Sequence, residues 1–255
     1  MLRCDRADDI AVLTLDRPGA GNSISSGLTD LLLGELARLA GDETVHAVII
    51  TGAGERFFCT GGDVKEYRLI ETEDELNARF DRTRRAMDML EGLHCPVIAA
   101  INGYALGGGA EIILCCDYRI AEEHARIGWP QVRLGIIPAW NGIERLVRDC
   151  GPRVASRMML TGEQVSAAEA RELAIIDQVV PHGTGLAAAR AWAGELRAGA
   201  PLALRATKRV IRATDGLERV RELQKRIFPA LWFSEDHKEA EAAFAERRAP
   251  GFSGR

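Results

Sequence analysis

Residues 96–111, which read PVIAAINGYALGGGAE, decide the fold of this chain. The first part, Pro96 to Ile101, is a short apolar run containing Val and Ile, which predicts a buried strand. Gly107 to Gly109 then predict a tight turn, and the apolar run Ile112 to Cys116 predicts a helix. A strand, a turn and a helix in this order are typical of an α/β unit.

The same alternation extends towards the N-terminus. Ile10–Leu15 (IAVLTL) and His46–Thr51 (HAVIIT) predict two further strands. Between them, Ser25 and Ser26 are suited to cap a helix whose leucines recur at helical spacing. A polar helix is expected at about residues 74–91. The pattern as a whole predicts an α/β fold with parallel strands.

Helices predominate in the C-terminal half. Three are expected, at about residues 141–148, 153–160 and 166–173, the last with Ser166 and Glu169 as a capping box. A last short strand is predicted at 177–181, and the chain from about residue 184 onward is expected to be helical. We place a soft domain boundary near residues 196–201.

Composition excludes several classes of function. The 255 residues are 47% hydrophobic and 27% charged, as in soluble globular proteins. A formal net charge of -4 gives no overall positive field for nucleic acid. The basic stretch 205–226 is therefore interpreted as the solvated face of amphipathic helices. No nucleic-acid partner is expected.

Cysteines, histidines and apolar runs bear on location and metals. The six cysteines form no CxxC pair, which fits a reduced cytoplasmic setting. No run approaches the roughly 18 apolar residues that would span a bilayer, and no membrane partner is expected. The five histidines are scattered, without a Cys, Asp or Glu at metal-ligand spacing, so no metal site is expected.

Two glycine-rich turns carry the first chemical signal. Residues 60–63 (TGGD) and 107–109 (GGG) each follow a strand. Backbone N–H groups at such turns can approach a ligand closely. Side by side, the two turns would form an oxyanion hole that stabilises the negative oxygen of a thioester enolate. The alternative interpretation is that both are only tight turns between a strand and a helix.

Glu111 is the second signal. It lies one turn beyond the glycines and directly before an apolar run. Burial there would raise its pKa and suit the carboxyl group to proton exchange near neutrality. Alternatively, Glu111 only interacts with a helix N-terminus.

Four segments resemble the enoyl-CoA hydratase/isomerase (crotonase) superfamily, at residues 57–66, 102–111, 135–138 and 234–239. The likeness extends from about Ile10 to Phe252. It implies an α/β fold, a crotonase-like spiral of ββα units, over residues 1–197 with the acyl-CoA site. It also implies a helical oligomerisation region over residues 198–255 that packs homotrimers or hexamers, the latter as dimers of trimers.

The resemblance also implies roles for individual residues. The N–H groups of Gly62 and Gly108 would form the oxyanion hole, and Glu111 would be catalytic. Coenzyme A, as part of the substrate and not a permanently bound cofactor, would contact Arg17, Thr60, Gly62, Asp63, Val64 and Lys65, with Phe244 and Arg247 reaching over from a neighbouring subunit. The acyl pocket would include Tyr104, Trp129, Leu134, Trp140 and Asn141.

The chain departs from the superfamily pattern at two positions. Gln131 stands where hydratases carry a second catalytic glutamate, and an amide can hold a water or a carbonyl group but cannot carry the proton. Ala139 stands where dienoyl-CoA isomerases and aryl-CoA dehalogenases have an aspartate, which disfavours those two chemistries. Glu111 and Gln131 are therefore the predicted catalytic pair, with Glu111 as the proton carrier.

Three hypotheses about function follow. The first is an enzyme that hydrates, dehydrates or isomerises an enoyl-CoA. The second is a decarboxylase or hydrolase of an acyl-CoA on the same scaffold. The third is a homologue that binds acyl-CoA without catalysis. The glycine turns and Glu111 favour the first two.

Overall fold

The computed structural model describes residues 1–213, Ala230 and residues 234–255. The strands in chain order are β1 (Leu2–Ala7), β2 (Ile10–Leu15), β3 (Ala47–Gly52), β4 (Phe57–Cys59), β5 (Val97–Ile101), β6 (Tyr104–Leu106), β7 (Tyr118–Glu122), β8 (Arg126–Gly128), β9 (Gln164–Ser166) and β10 (Gln178–Val180). The α-helices are α1 (Ser26–Ala40), α2 (Val64–Tyr67), α3 (Glu73–Glu91), α4 (Gly108–Leu114), α5 (Gly142–Thr161), α6 (Ala167–Glu172), α7 (Gly185–Glu195), α8 (Pro201–Arg212) and α9 (Glu235–Glu246). Short 3-10 helices cover Pro18–Ala20, Pro130–Leu134 and Leu196–Ala198.

The larger sheet confirms the predicted α/β fold. Its six strands lie in the order β1-β2-β3-β5-β7-β10, and every neighbouring pair except β1 with β2 is parallel. All four predicted strands, at residues 10–15, 46–51, 96–101 and 177–181, form within this sheet to within a residue or so at each end. Two strands of this sheet, the antiparallel edge strand β1 and the parallel strand β7, were not predicted.

Apolar side chains cover both faces of this sheet. On β2, Ala11, Leu13 and Leu15 pack on the face that also receives the helix α1, while Ile10 and Val12 face the helix α7. Burial on both sides explains why the strands read as continuous apolar runs instead of alternating. Each fully buried aliphatic side chain contributes about 1.5–3 kcal/mol.

The smaller sheet was missed by sequence reasoning. It has four strands in the order β4-β6-β8-β9, each only three residues long. Such short segments have too little periodicity to be recognised in the sequence. The sheet matters for the site because β4 and β6 are parallel neighbours. Their carboxyl ends therefore place the turns that follow, at residues 60–63 and 107–109, at the same edge.

The helices follow local signals in the sequence. Ser25 caps α1 by accepting a hydrogen bond from the backbone N–H of Leu28, at 3.2 Å. The helices expected at 141–148 and 153–160 are two parts of α5, separated where Gly151 adopts a φ of 81° before Pro152. The helix α4 begins at Gly108 instead of the expected Ile112, so the glycine run forms its first turn.

The boundary predicted near residues 196–201 falls between the end of α7 and the start of α8 at Pro201. Residues 214–229 and 231–233 lie outside the described residues, and with them part of the basic stretch and of the predicted oligomerisation region. The Nζ atom of Lys208 on α8 donates a hydrogen bond to the carbonyl of Cys95 at 2.8 Å, which fixes this helix to the larger sheet. Among the described residues, no helix is both long and apolar enough to cross a membrane.

Candidate active site

The two glycine turns meet at the carboxyl ends of β4 and β6. A Cβ atom built on Gly61 would lie only 2.9 Å from the backbone nitrogen of Gly108. Gly61 adopts a φ of 98° and Gly107 one of 56°, both unfavourable for other residues. Within the described part of the chain, neither the N–H of Gly62 nor that of Gly108 donates a hydrogen bond. Both predicted oxyanion donors therefore lack an acceptor among the described residues and lie on adjoining turns.

Two aromatic rings pack directly against these glycines. A Cβ atom on Gly62 would collide with the ring of Tyr67, and one on Gly108 with the ring of Trp140. Tyr67 also packs on Phe80, with ring centroids 5.0 Å apart. Burial raises the pKa of Tyr67 to about 12, so its phenol is neutral at physiological pH. The absence of side chains at the two glycines therefore makes room for aromatic walls.

Glu111 is buried beside the two turns. It is 2% exposed, and its Oε2 atom accepts hydrogen bonds from the backbone N–H groups of Trp140, at 2.8 Å, and Gly142, at 2.9 Å. Burial raises the pKa of Glu111 from its ordinary value of 4.5 to about 7, although these amides lower it in part. The helix N-terminus that Glu111 contacts belongs to α5 and not to its own helix. A carboxyl group with this pKa can take up and release a proton near neutrality.

Gln131 lies against the other oxygen of Glu111. Its Nε2 atom donates a hydrogen bond to Oε1 of Glu111 at 3.2 Å. Its own Oε1 atom is buried and has no partner among the described residues. A buried acceptor without a donor is unusual in a folded protein and is suited to a ligand or a water molecule. The predicted catalytic pair is thus in direct contact.

The predicted pocket residues do not all lie in this cluster. Trp129 is fully buried and precedes the 3-10 helix that carries Gln131. Asn141 adopts a left-handed φ of 65° at the start of α5, between Trp140 and Gly142. Leu134, in contrast, is 68% exposed on the surface.

The described ring contact of Tyr104 also lies outside the cluster around Glu111. It lies at the start of β6, while the glycine turn follows the other end of this strand. Its ring packs on Phe57, with centroids 5.9 Å apart. Neither Tyr104 nor the exposed Leu134 is thus brought to the Glu111 carboxylate.

The turn predicted to bind coenzyme A is held by an ion pair. Nη2 of Arg17 lies 2.8 Å from Oδ2 of Asp63, and this hydrogen bond lowers the pKa of Asp63. Asp63 also caps α2 by accepting the backbone N–H of Lys65 at 3.1 Å. Thr60 donates its hydroxyl hydrogen to the carbonyl of Gly21 at 3.2 Å. The side chains of Arg17, Thr60 and Asp63 are therefore engaged in shaping the turn.

The remaining predicted contacts to coenzyme A are exposed or undescribed. Val64 and Lys65 are exposed at the start of α2. Arg247 is exposed just beyond the end of α9. The side chain of Phe244 lies outside the described residues.

Sequence reasoning missed Tyr67 and Gly142. Tyr67 lies on α2, and Gly142 is the first residue of α5. Tyr67 follows the turn at residues 60–63 by one short helix and folds back onto Gly62, whereas Gly142 reaches the site because α5, distant in sequence, packs on α4. The periodicity of the sequence contains no signal for such an approach.

Comparisons with known proteins show what the whole chain resembles. The family model described as enoyl-CoA hydratase/isomerase matches residues 5–255. The chain is 36% identical over 253 residues to a 2,3-dehydroadipyl-CoA hydratase of Escherichia coli, covering 98% of this chain and 97% of that protein. It is 38% identical over 261 residues to a carnitinyl-CoA dehydratase of Salmonella arizonae, covering 99% of this chain and 98% of the relative.

A solved structure shows the same fold. The crystal structure of an enoyl-CoA hydratase from Bacillus anthracis superposes with a TM-score of 0.96 at 34% sequence identity. The superposition covers 100% of this chain and 99% of the other.

Proposed function

Because this chain belongs to the enoyl-CoA hydratase/isomerase family, we propose that it catalyses the reversible addition of water to the double bond of an enoyl-CoA thioester. The chain is an enzyme of the hydratase/isomerase type, of the lyase or isomerase class. Within this class, the contact between Glu111 and Gln131 supports hydration and dehydration over isomerisation. The names of the Escherichia coli and Salmonella relatives, a hydratase and a dehydratase, support the same choice.

Gln131 is proposed to hold the oxygen that is added or removed. Its unpartnered Oε1 atom accepts a hydrogen bond, so it suits a group that carries hydrogen, such as water or the substrate hydroxyl. Oε1 of Glu111 lies beside the same amide, while Oε2 is occupied by two backbone N–H groups. Oε1 of Glu111 is therefore the oxygen that exchanges the proton.

One carboxylate is sufficient to balance the reaction. Ionised Glu111 takes one proton from the water as its oxygen forms a bond to the β-carbon of the substrate. The double-bond electrons move to the thioester oxygen, and an enolate forms. Glu111 then returns the same proton to the α-carbon, and the hydroxyl group stays on the β-carbon. Dehydration is the reverse of these steps.

The enolate oxygen is proposed to be stabilised by the N–H groups of Gly62 and Gly108. Both groups lack an acceptor in the described chain and lie on adjoining turns. One such donor is worth about 10²–10³ in rate. Trp140 and Tyr67 would exclude water around the thioester, since their rings pack on the same two glycines.

Coenzyme A is proposed to enter with the substrate over the turn at residues 60–65, with no permanently bound cofactor. Val64 and Lys65 are exposed there, and the ammonium group of Lys65 suits a phosphate. The ion pair of Arg17 with Asp63 makes Arg17 a support for the turn, and a phosphate would compete with that carboxylate. Phe244 and Arg247 stay predicted contacts from a neighbouring subunit.

We also propose that residues 1–197 form the catalytic core and that residues 198–255 support a homotrimer or hexamer in the cytoplasm. Leu134, Ile136 and Ile137 are 68%, 56% and 70% exposed, and such adjacent apolar side chains favour burial against another copy. The six thiols are free, as a reducing compartment requires. Light scattering coupled to gel filtration tests the oligomeric state.

The decisive experiment incubates a panel of enoyl-, 3-hydroxyacyl- and malonyl-type CoA thioesters with the enzyme in deuterated water, followed by mass spectrometry. We expect interconversion of enoyl and 3-hydroxyacyl thioesters with one deuteron fixed at the α-carbon. Deuterium at the γ-carbon with a shifted double bond would identify an isomerase instead. Release of carbon dioxide, release of free coenzyme A, or saturable binding without turnover would each overturn the proposal.

A further inference from the structure

A second group of ligand-type side chains lies outside the candidate active site. Glu122 ends β7, His124 lies in the turn between β7 and β8, and His182 lies in the loop between β10 and α7. Because β7 and β10 are parallel neighbours, the segments that follow their carboxyl ends meet at one edge of the larger sheet. One ligand atom from each of the three residues lies within 4.8 Å of the others.

The hydrogen bonding of His124 fixes which ring nitrogen faces the cluster. Its Nε2 atom lies 3.0 Å from the backbone carbonyl oxygen of Glu55. A carbonyl oxygen only accepts, so Nε2 carries the hydrogen, and in the tautomer with a single ring hydrogen Nδ1 carries a lone pair. That Nδ1 atom is buried without a partner among the described residues, 3.8 Å from Oε2 of Glu122. Two electron-rich atoms thus face each other, an arrangement that a cation between them would stabilise.

Glu122 is also held in a fixed orientation. Its side chain is buried, and its two oxygens accept hydrogen bonds from the backbone N–H groups of Gly183, at 2.8 Å, and Gly185, at 3.0 Å. Ligating carboxylates are typically hydrogen-bonded in this way, and ligating histidines typically donate their second N–H to a backbone carbonyl. Two of the three side chains therefore already have the supporting contacts of a metal site.

We propose that His124, His182 and Glu122 bind a divalent transition-metal ion of the Zn²⁺ type. Two imidazoles and one carboxylate suit Zn²⁺, whereas Mg²⁺ and Ca²⁺ require oxygen ligands. Ligands about 2.0–2.2 Å from a tetrahedral ion lie about 3.4 Å apart, so the 3.8 Å between Nδ1 and Oε2 needs little adjustment.

The third ligand, His182, comes from the loop before α7. His182 is exposed, and its ring stands edge-on to that of His124 with centroids 4.4 Å apart. A fourth position remains for water. The sequence predicted no metal site because His182 is distant in sequence from Glu122 and His124, so the three residues show no metal-ligand spacing.

The proposed ion would have a structural role. It would join the β7–β8 turn to the loop before α7, and through the Glu55 carbonyl to the segment after β3. None of the described contacts of Glu111 involves this group. Metal binding is therefore expected to raise the stability of the fold and leave catalysis unchanged.

Isothermal titration of the metal-free full chain with Zn²⁺ at pH 7.5, combined with thermal unfolding, tests the proposal. We expect one equivalent of Zn²⁺ to bind and to raise the unfolding temperature, and Mg²⁺ to do neither. His124→Ala and His182→Ala should each weaken binding by about tenfold or more. Binding should weaken at pH 5.5 because protons compete for the imidazoles. The matched control is His94→Gln, a histidine outside the cluster, which should bind Zn²⁺ like the wild type.

His182→Ala changes an exposed loop residue, so its folding is expected to be preserved even if His124→Ala loses structure. Unchanged Zn²⁺ affinity in His182→Ala would overturn the proposal, and would indicate binding at other groups such as the thiols. Absence of a 1:1 complex with the wild type would also overturn it. A pH effect on unfolding without any Zn²⁺ effect would show that a proton, not a metal ion, occupies the gap.

Discussion

Two carboxylates near α5, the buried Glu111 and the partly buried Glu91, have opposite environments. The Oε2 atom of Glu111 accepts only neutral backbone N–H groups, and burial raises its pKa to about 7. Glu91 lies 2.7 Å from Nε of Arg145 and 2.6 Å from Nη1 of Arg148. Burial alone would raise the pKa of Glu91, but the charges of these two arginines outweigh it and lower the pKa.

The comparison shows how one fold keeps one carboxylate able to exchange a proton and the other ionised. Neutral dipoles compensate part of the desolvation of a carboxylate, whereas full positive charges compensate all of it. Arg145 separates the two environments. Its Nη1 atom donates to the carbonyl of Trp140 at 2.7 Å, while its Nε atom binds Glu91. The cation therefore supports the backbone that holds Glu111 without pairing with it.

The largest expected effect tests which of the two carboxylates carries the proton. Glu111→Gln should lower turnover of the enoyl-CoA substrate by about 10²–10⁴-fold, because an amide cannot take the proton. The matched change Glu91→Gln should leave turnover within a few-fold of wild type and lower stability instead. Initial rates and circular dichroism of both variants provide the measurement. Intact turnover in Glu111→Gln would refute the assignment.

A second variant removes the cation between the two carboxylates. Arg145→Met should lower the free energy of unfolding by about 1–3 kcal/mol, because partly buried Glu91 loses one of its arginine partners and the carbonyl of Trp140 loses a donor. It should also raise the pKa of Glu111 further, since the charge of Arg145 lowers it. The acidic limb of the pH–rate profile would then move to higher pH.

Urea unfolding and the pH–rate profile measure the two effects of Arg145→Met. Arg148→Met is the control, since Arg148 also pairs with Glu91 but is more exposed. If the pH–rate profile moves equally in both variants, Arg145 has no greater effect on the pKa of Glu111 than Arg148 has.

The sequence predicts the burial of Glu111 better than it predicts the groups that contact its carboxylate. The apolar run after Glu111 indicated burial, and hence the raised pKa that the structure contains. The partners of Glu111 could not be predicted in this way. The Trp140 and Gly142 amides come from the start of α5, and only the packing of α5 on α4 brings them to the carboxylate.

The same distinction holds for the fold. The long apolar strands of the larger sheet were predicted because burial on both faces leaves a strong local pattern. The three-residue strands β4 and β6 leave none, yet they bring the glycine turns together. The resemblance to a known superfamily supplied the pairing of Gly62 with Gly108, which local patterns did not.

A third prediction uses the pH dependence of stability. The pKa of Glu111 is raised from 4.5 to about 7, so the stability from its protonated form is fully present below pH 4.5 and lost as the pH rises through 7. Glu111→Gln lacks this loss. It should therefore gain stability relative to the wild type between these pH values, by up to roughly 3 kcal/mol.

Glu91 should behave in the opposite direction. Its pKa is lowered, so its contribution is present above its unfolded-state pKa and is lost as the pH falls through the folded-state value. Urea unfolding of the wild type, Glu111→Gln and Glu91→Gln from pH 4 to pH 8 separates the two effects. Parallel pH curves for the wild type and Glu111→Gln would contradict the raised pKa of Glu111.

The smallest expected effect comes from placing a second carboxyl group beside Glu111. Gln131→Glu places a carboxyl group where the amide now lies 3.2 Å from Oε1 of Glu111. Two carboxylates at this distance cannot both ionise easily, so the pair should share a proton and one apparent pKa should rise. If the missing acid limits hydration, kcat/KM should increase by about tenfold. Gln164→Glu, the same change at an exposed position of β9, should leave kcat/KM unchanged. Absence of a gain would show that the missing acid does not limit hydration and that one proton carrier is enough.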